Sequence, residues 1–274
     1  MNASGEDPRV DKSSSFLLSK WYLDCIADNG DGVIVYVADL RWKAWHMRYA
    51  STLRFSGKKV ETTTSIRKCS LPESAIGQIV VKLPHIAIEG VWSGFAAPIE
   101  RAIFETSAGA VHWNCLQPAS RVKLVLDRSR EMIGFGYAEC LEISIPPWKF
   151  PLNELHWGRF VTESDSLVWI DWRGPYSCRI VVHNGGELEP AVVTDSAISS
   201  LNSHVRLALD RGLVLRSGIL GDTVFSGIAA LARILPISML RVRESKWRSW
   251  GNLVSAERTV SGWAIHEVVR WKEE

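Results

Sequence analysis

Short runs of alternating apolar and polar residues, each closed by a turn signal, fill this sequence almost from end to end. Alternate residues of a strand share one face, so Phe16 to Ala27, Val33 to Asp39, Val60 to Ile66, Arg121 to Asp127 and Cys178 to His183 all read as strands. Asp28-Asn29-Gly30-Asp31-Gly32 between the first two tolerates positive φ and predicts a hairpin. One stretch has helical spacing: Ile228, Leu231 and Leu235 within Gly227 to Leu235, with Pro236 after it. Many short strands and little helix predict an all-β sandwich or barrel, and 274 residues are enough for two modest units. Pro146, Pro147 and Pro151 break the strand pattern. The expected organisation is a polar, disordered leader over 1–15, one β unit over 16–145 and a second over 146–274.

Composition removes several functions. A formal charge of +2 gives no electrostatic case for nucleic acid or an anionic surface. No stretch approaches the roughly 18 apolar residues of a membrane span, although peripheral membrane contact stays open. The polar start lacks the hydrophobic segment of a signal peptide. Five cysteines, odd in number and never spaced C-x-x-C, fit reduced thiols in a cytoplasmic protein. G-x-S-x-G, H-E-x-x-H and phosphate-loop patterns are absent from the sequence, so no metal and no cofactor is expected. Thirteen tryptophans are the anomaly. Indoles supply rigid apolar area and cation-attracting faces, which points to an aromatic cavity for a hydrophobic small molecule.

The chemistry-bearing residues concentrate between Met132 and Gly174. Tyr137, Glu139, Leu141, Ile143 and Ile145 share a strand face, and a carboxylate among apolar neighbours is costly to bury unless protonated or hydrogen-bonded. Trp169 and Asp171 share a second face, with His156 and Trp157 between the two runs; adjacent in a strand, only one of that pair can look inward. Trp113 is placed near the cavity wall. On the last strand Trp263 and Glu267 repeat the pattern of a carboxylate among indoles; Glu267 either joins the pocket or forms a structural salt bridge to an arginine, with the salt bridge preferred. Asp24 either reaches the pocket or faces solvent, with solvent preferred. The expected set is thus Glu139, Asp171 and His156 as catalytic groups, with Tyr137, Trp157, Trp169, Trp113, Glu267 and Trp263 binding substrate.

Gly134-Phe135-Gly136-Tyr137-Ala138-Glu139, His156-Trp157-Gly158, Trp169-Ile170-Asp171, Trp113-Asn114-Cys115 and the closing Gly262 to Glu267 together resemble the hydroxyneurosporene synthase (carotenoid 1,2-hydratase) and AttH-like proteins. That resemblance implies a tandem lipocalin-like, or calycin-type, β architecture, in a superfamily that also includes lipocalin-like pericyclases. It implies acid-catalysed hydration, with His156, Trp157, Trp169 and Asp171 at the matching positions.

Three functions follow as expectations. The first is a cofactor-independent enzyme that protonates an alkene of a polyene or isoprenoid-like substrate and completes hydration or cyclisation. The second is a pericyclase that folds a linear polyene; the third is a carrier of a hydrophobic ligand. In the first, Glu139 has no sequence-adjacent base and is the preferred acid, with Asp171 orienting it or stabilising positive charge. The resemblance assigns the aspartate the more direct role. Substrate and oligomeric state are not encoded in any motif.

Overall fold

A computed structural model describes residues 16–66, 69–224 and 235–271. The expected leader and all of the helix candidate except Leu235 lie outside them. The first half of the chain forms β1 (Phe16–Ile26), β2 (Gly32–Trp42), β3 (Trp45–Ser56), β4 (Lys59–Ser65), β5 (Glu73–Ala75), β6 (Gln78–Leu83), β7 (Ile88–Gly94), β8 (Ile99–Thr106), β9 (Gly109–Leu126) and β10 (Arg130–Ile143). They make a 10-stranded antiparallel sheet in the order β4-β3-β2-β1-β10-β9-β7-β6-β5, with β8 on β9. The second half forms β11 (Glu154–Val161), β12 (Ser166–Arg173), β13 (Cys178–His183), β14 (Gly186–Glu187), β15 (Val192–Val193), β16 (Ala197–Ser200), β17 (Val205–Leu209), β18 (Leu213–Ile219), β19 (Arg243–Val254) and β20 (Thr259–Arg270). Among the described residues two single-turn helices, α1 (Leu220–Thr223) and α2 (Ile237–Leu240), precede β19.

The second sheet runs β14-β13-β12-β11-β20-β19-β17-β16-β15, with β18 on β19. Raising every strand number of the first sheet by ten reproduces the second. The molecule is therefore a structural duplication of one curled lipocalin-like sheet, and the all-β class with little helix holds.

The three larger apolar cores among the described residues follow from strand parity. Odd residues of β1 and β2 (Leu23, Cys25, Val33, Val35, Val37) enter a core made only of side chains from the first half of the chain. Phe160, Leu167, Trp169 and Ala264 enter one made only of side chains from the second half of the chain. The third core is shared: Tyr22, Ile34, Tyr36 and Tyr137 meet Trp157, Val168, Ile170 and Trp172. The central strands thus bury both faces, so β2 reads as a nearly continuous buried run.

The sheets are also fastened by polar contacts. Asp24 is fully buried, not turned to solvent, and takes the equally buried Arg159 guanidinium at 2.5 and 3.0 Å. Its even parity in β1 points it at the shared core, where burying it without a charged partner would be prohibitive. The predicted hairpin forms between β1 and β2. Gly30 there has φ +83°, and a Cβ would lie 2.5 Å from the Trp263 ring, so the turn needs glycine for conformation and for space. Arg248 donates to the Gly30 carbonyl at 2.6 Å and the Trp263 indole to that of Asp28 at 3.2 Å.

Candidate functional site

A cavity of about 250 Å³ opens within the shared core. Even residues of β1 (Leu18, Lys20, Tyr22) and of β2 (Tyr36, Leu40, Trp42) form one wall, with Glu139 and Leu141 of β10. The second sheet contributes Trp157, Ile170, Trp172, Arg216, Glu244, Lys246 and Glu267. Trp148 and Phe150, in the proline-rich connection between the sheets, and Trp271 close the apolar end. The Trp148 ring stands edge-on to Trp42, with centroids 5.0 Å apart.

Glu139 is a buried acid of this cavity without a cationic partner in hydrogen-bond reach among the described residues. Its Oε2 accepts hydrogen bonds from the Tyr137 hydroxyl at 2.6 Å, the Trp113 indole at 2.7 Å and the Trp157 indole at 3.1 Å. Oε1 has no donor among the described residues. Burial pushes the Glu139 carboxyl above the ordinary carboxylate range, against the opposing pull of Tyr137, Trp113, Lys20 and Trp157. With Oε2 committed to three donors, Oε1 is the atom left to carry a proton.

A second group of charges occupies the same cavity. Lys246, 2% exposed, pairs with Glu267 at 2.5 Å and Glu244 at 3.7 Å, and donates to the Tyr36 hydroxyl at 2.8 Å. Arg216 pairs with Glu244 at 3.4 Å and donates to the same hydroxyl at 3.1 Å. Burial would lower the Lys246 pKa, but Glu267, Tyr36 and Glu244 outweigh it and hold the ammonium well above the usual lysine range. Burial likewise pushes Glu267 up, and Lys246 more than reverses this, keeping Glu267 ionised. The rings of Tyr22, Tyr36 and Trp157 surround the ammonium at 5.2, 5.3 and 5.6 Å.

Glu139, Tyr137, Trp113 and Trp157 come together, and Glu267 joins them across the cavity with a lysine, not an arginine, as its partner. Of His156 and Trp157, the tryptophan looks inward. Asp171, Trp169 and His156 were expected in the same pocket, and the structure places them elsewhere. In β12 it is Ile170 and Trp172 that face the cavity, so Trp169 and Asp171 point into the second sheet's own side. Asp171 is held there by Arg173 at 2.7 Å and Arg179 at 2.9 Å. Trp169 packs on Gly158, where a Cβ would lie 2.2 Å from the ring, which explains the glycine after His156-Trp157. His156 pairs with Glu154 and approaches Asp195 at 3.7 Å. Trp263 lies on the Gly30 turn, outside the cavity lining.

Glu154, His156 and Asp195 bring ligand-type atoms within 4.8 Å of one another. Arg173 and Arg270 already pair Glu154, and Arg211 pairs Asp195, so cationic charge is supplied there by side chains. Ser249 Oγ and His266 Nε2 are 2.8 Å apart, a nucleophile-and-base pairing in form, but both are buried and neither lines the cavity.

Sequence reasoning missed Tyr36, Arg216, Glu244 and Lys246. A usable signal existed in β19: Glu244 and Lys246 share one face of a strand whose other face carries Trp247, and charges at alternate positions of a central strand need partners.

Fold and site together define a tandem lipocalin-like protein whose cavity lies between its two sheets. No family model and no curated protein matches the sequence. Solved structures do match in fold. CghA, in a crystal structure with Sch210972, superposes with a TM-score of 0.58 at 10% identity, covering 93% of this chain and 88% of CghA. An AttH protein from Nitrosomonas europaea gives 0.55 at 8% identity, covering 92% of each chain. Kievitone hydratase from Nectria haematococca gives 0.54 at 11%, covering 92% of this chain and 89% of the hydratase. The chain shares the fold of these proteins, the lipocalin-like architecture that the central motifs imply.

Proposed function

We propose that the protein is an enzyme acting on a hydrophobic polyene or isoprenoid-like substrate, with Glu139 as the proton donor. The observation that carries this is the asymmetry of the Glu139 carboxyl: three donors fix Oε2, while Oε1 has no donor among the described residues and burial favours the protonated form. Oε1–H protonates one carbon of a C=C bond, and the positive charge develops on the other. Indole faces at Trp42, Trp148 and Trp172 stabilise that charge by about 0.5–2 kcal/mol per contact. Water adds to the cation and returns its extra proton to Glu139, giving net hydration; attack by an internal π-bond followed by proton loss to Glu139 gives cyclisation. The likeness to a protein named as a hydratase agrees with this reading.

A second reading has its own support. Lys246, Arg216 and Tyr36 set fixed hydrogen-bond donors at the same cavity, as a pericyclase needs to polarise a folded polyene. The two separate in deuterium oxide. Farnesol, geranylgeraniol and linear polyenoic acids are incubated with the protein and the products analysed by mass spectrometry. Proton donation predicts carbon-bound deuterium, and Glu139→Gln should slow turnover by about 10²–10⁴-fold, the usual worth of a general acid. Product without carbon-bound deuterium, formed equally by Glu139→Gln, would establish the pericyclic route.

A further inference from the structure

The Tyr36 hydroxyl is committed on one side only. Its oxygen accepts from two cationic donors, the Lys246 ammonium at 2.8 Å and the Arg216 guanidinium at 3.1 Å. A phenol has one proton of its own to donate, and for Tyr36 no side-chain or backbone acceptor exists among the described residues. The residue is 8% exposed and lines the cavity. Donors with no acceptor are costly in a low-dielectric site, and cationic donors on the oxygen polarise the O–H further.

Two further orphans lie in the same lining. The Tyr22 hydroxyl and the Trp172 indole nitrogen are buried without a hydrogen-bond partner, and each residue is 4% exposed. Three unanswered donors in a cavity whose carboxylates Glu244 and Glu267 are already paired with Arg216 and Lys246 call for an acceptor that arrives with the ligand. The surrounding charges favour negative charge on it. Lys20, Lys246 and Arg216 face Glu244 and Glu267, a net positive balance once Glu139 is protonated.

We infer that Tyr36 is the substrate's polar anchor, and that the substrate is an apolar chain bearing a carbonyl-type oxygen, neutral or anionic, which accepts from the Tyr36 hydroxyl. This deepens the proposed function and rests on its reading of the cavity as the substrate site. The oxygen fixes which end of the chain lies beside Lys246 and Arg216, and hence which carbon–carbon bond reaches Glu139.

The test uses three probes of similar length, followed by intrinsic tryptophan fluorescence: decanoate, 2-undecanone, and 1-chlorodecane as the chain without a good acceptor. The full chain should bind the first two at least about tenfold more tightly than the third, the worth of one hydrogen bond to a strong donor. The ratio of decanoate to 2-undecanone then tells an anionic head from a neutral one. Tyr36→Phe keeps the ring beside the cations and should erase the tenfold preference while leaving 1-chlorodecane unchanged. Should that variant fail to fold, Arg216→Gln, which removes one donor from the Tyr36 oxygen, should reduce the preference about threefold. A wild-type protein without the preference, absence of all binding included, or a preference untouched in the variants, overturns the inference. Glu139→Gln serves as the separating control. It should keep the preference even if alkene protonation is disproved, and it should still lose turnover if the anchor alone is disproved.

Discussion

Glu139 is the residue whose protonation the fold has to choose, and its surroundings make the choice measurable without a substrate. Burial raises its pKa above the unfolded value despite the Tyr137, Trp113 and Lys20 contributions that oppose it. A group with a raised folded pKa contributes stability that is complete below the unfolded pKa and is lost as pH rises through the folded one. Glu139→Gln removes that dependence. The unfolding free energy of wild type minus that of Glu139→Gln, from urea titrations at several pH values, should be flat in acid and fall as pH climbs past the ordinary carboxylate range. A difference that rises with pH would mean that the three donors win and Glu139 is ionised, which removes the proton donor from the proposed mechanism.

The pairing of β1 with β11 across the shared core turns on Asp24 and Arg159, both fully buried. Removing one partner strands a charge, so Asp24→Leu and Arg159→Met should each cost about 3–5 kcal/mol, and the double variant that combines them should cost less than their sum. Single variants within about 1 kcal/mol of wild type in denaturant unfolding would remove this pair as a fastening between the sheets. The same strands show what the sequence could disclose. Period-two alternation and the Asn29-Gly30 turn predict the β class and the first hairpin, because those depend on neighbouring residues. The carboxylate among apolar residues in β10 stands out for the same local reason, and Glu139 lines the cavity. Which face of β12 meets the cavity is not local. Both faces of that strand are buried, so parity groups Trp169 with Asp171 without saying that Ile170 and Trp172 hold the cavity side. Nor is the Tyr36–Lys246 bond local, since its partners are 210 positions apart.

The duplication is expressed in hydrogen-bond order and not in side-chain identity, which is why no sequence repeat announces it, and it has a consequence for the whole molecule. Each sheet has a core of its own and also presents one half of a third core. Taken alone, residues 16–145 would expose Tyr22, Ile34, Tyr36 and Tyr137, an aromatic face of the kind that drives association. The cavity would vanish as well, because Tyr36 and Glu139 stand on one sheet while Trp157, Arg216 and Lys246 stand on the other. Expressed separately, 16–145 should self-associate and take up a hydrophobic dye, whereas co-expression with 146–274 should restore a dye-excluding complex that binds 2-undecanone. Size-exclusion chromatography and dye fluorescence measure both. A monomeric, dye-excluding 16–145 fragment would show that the face between the sheets is dispensable to folding, and binding of 2-undecanone by that fragment at the full chain's affinity would place the ligand inside the first sheet's own core.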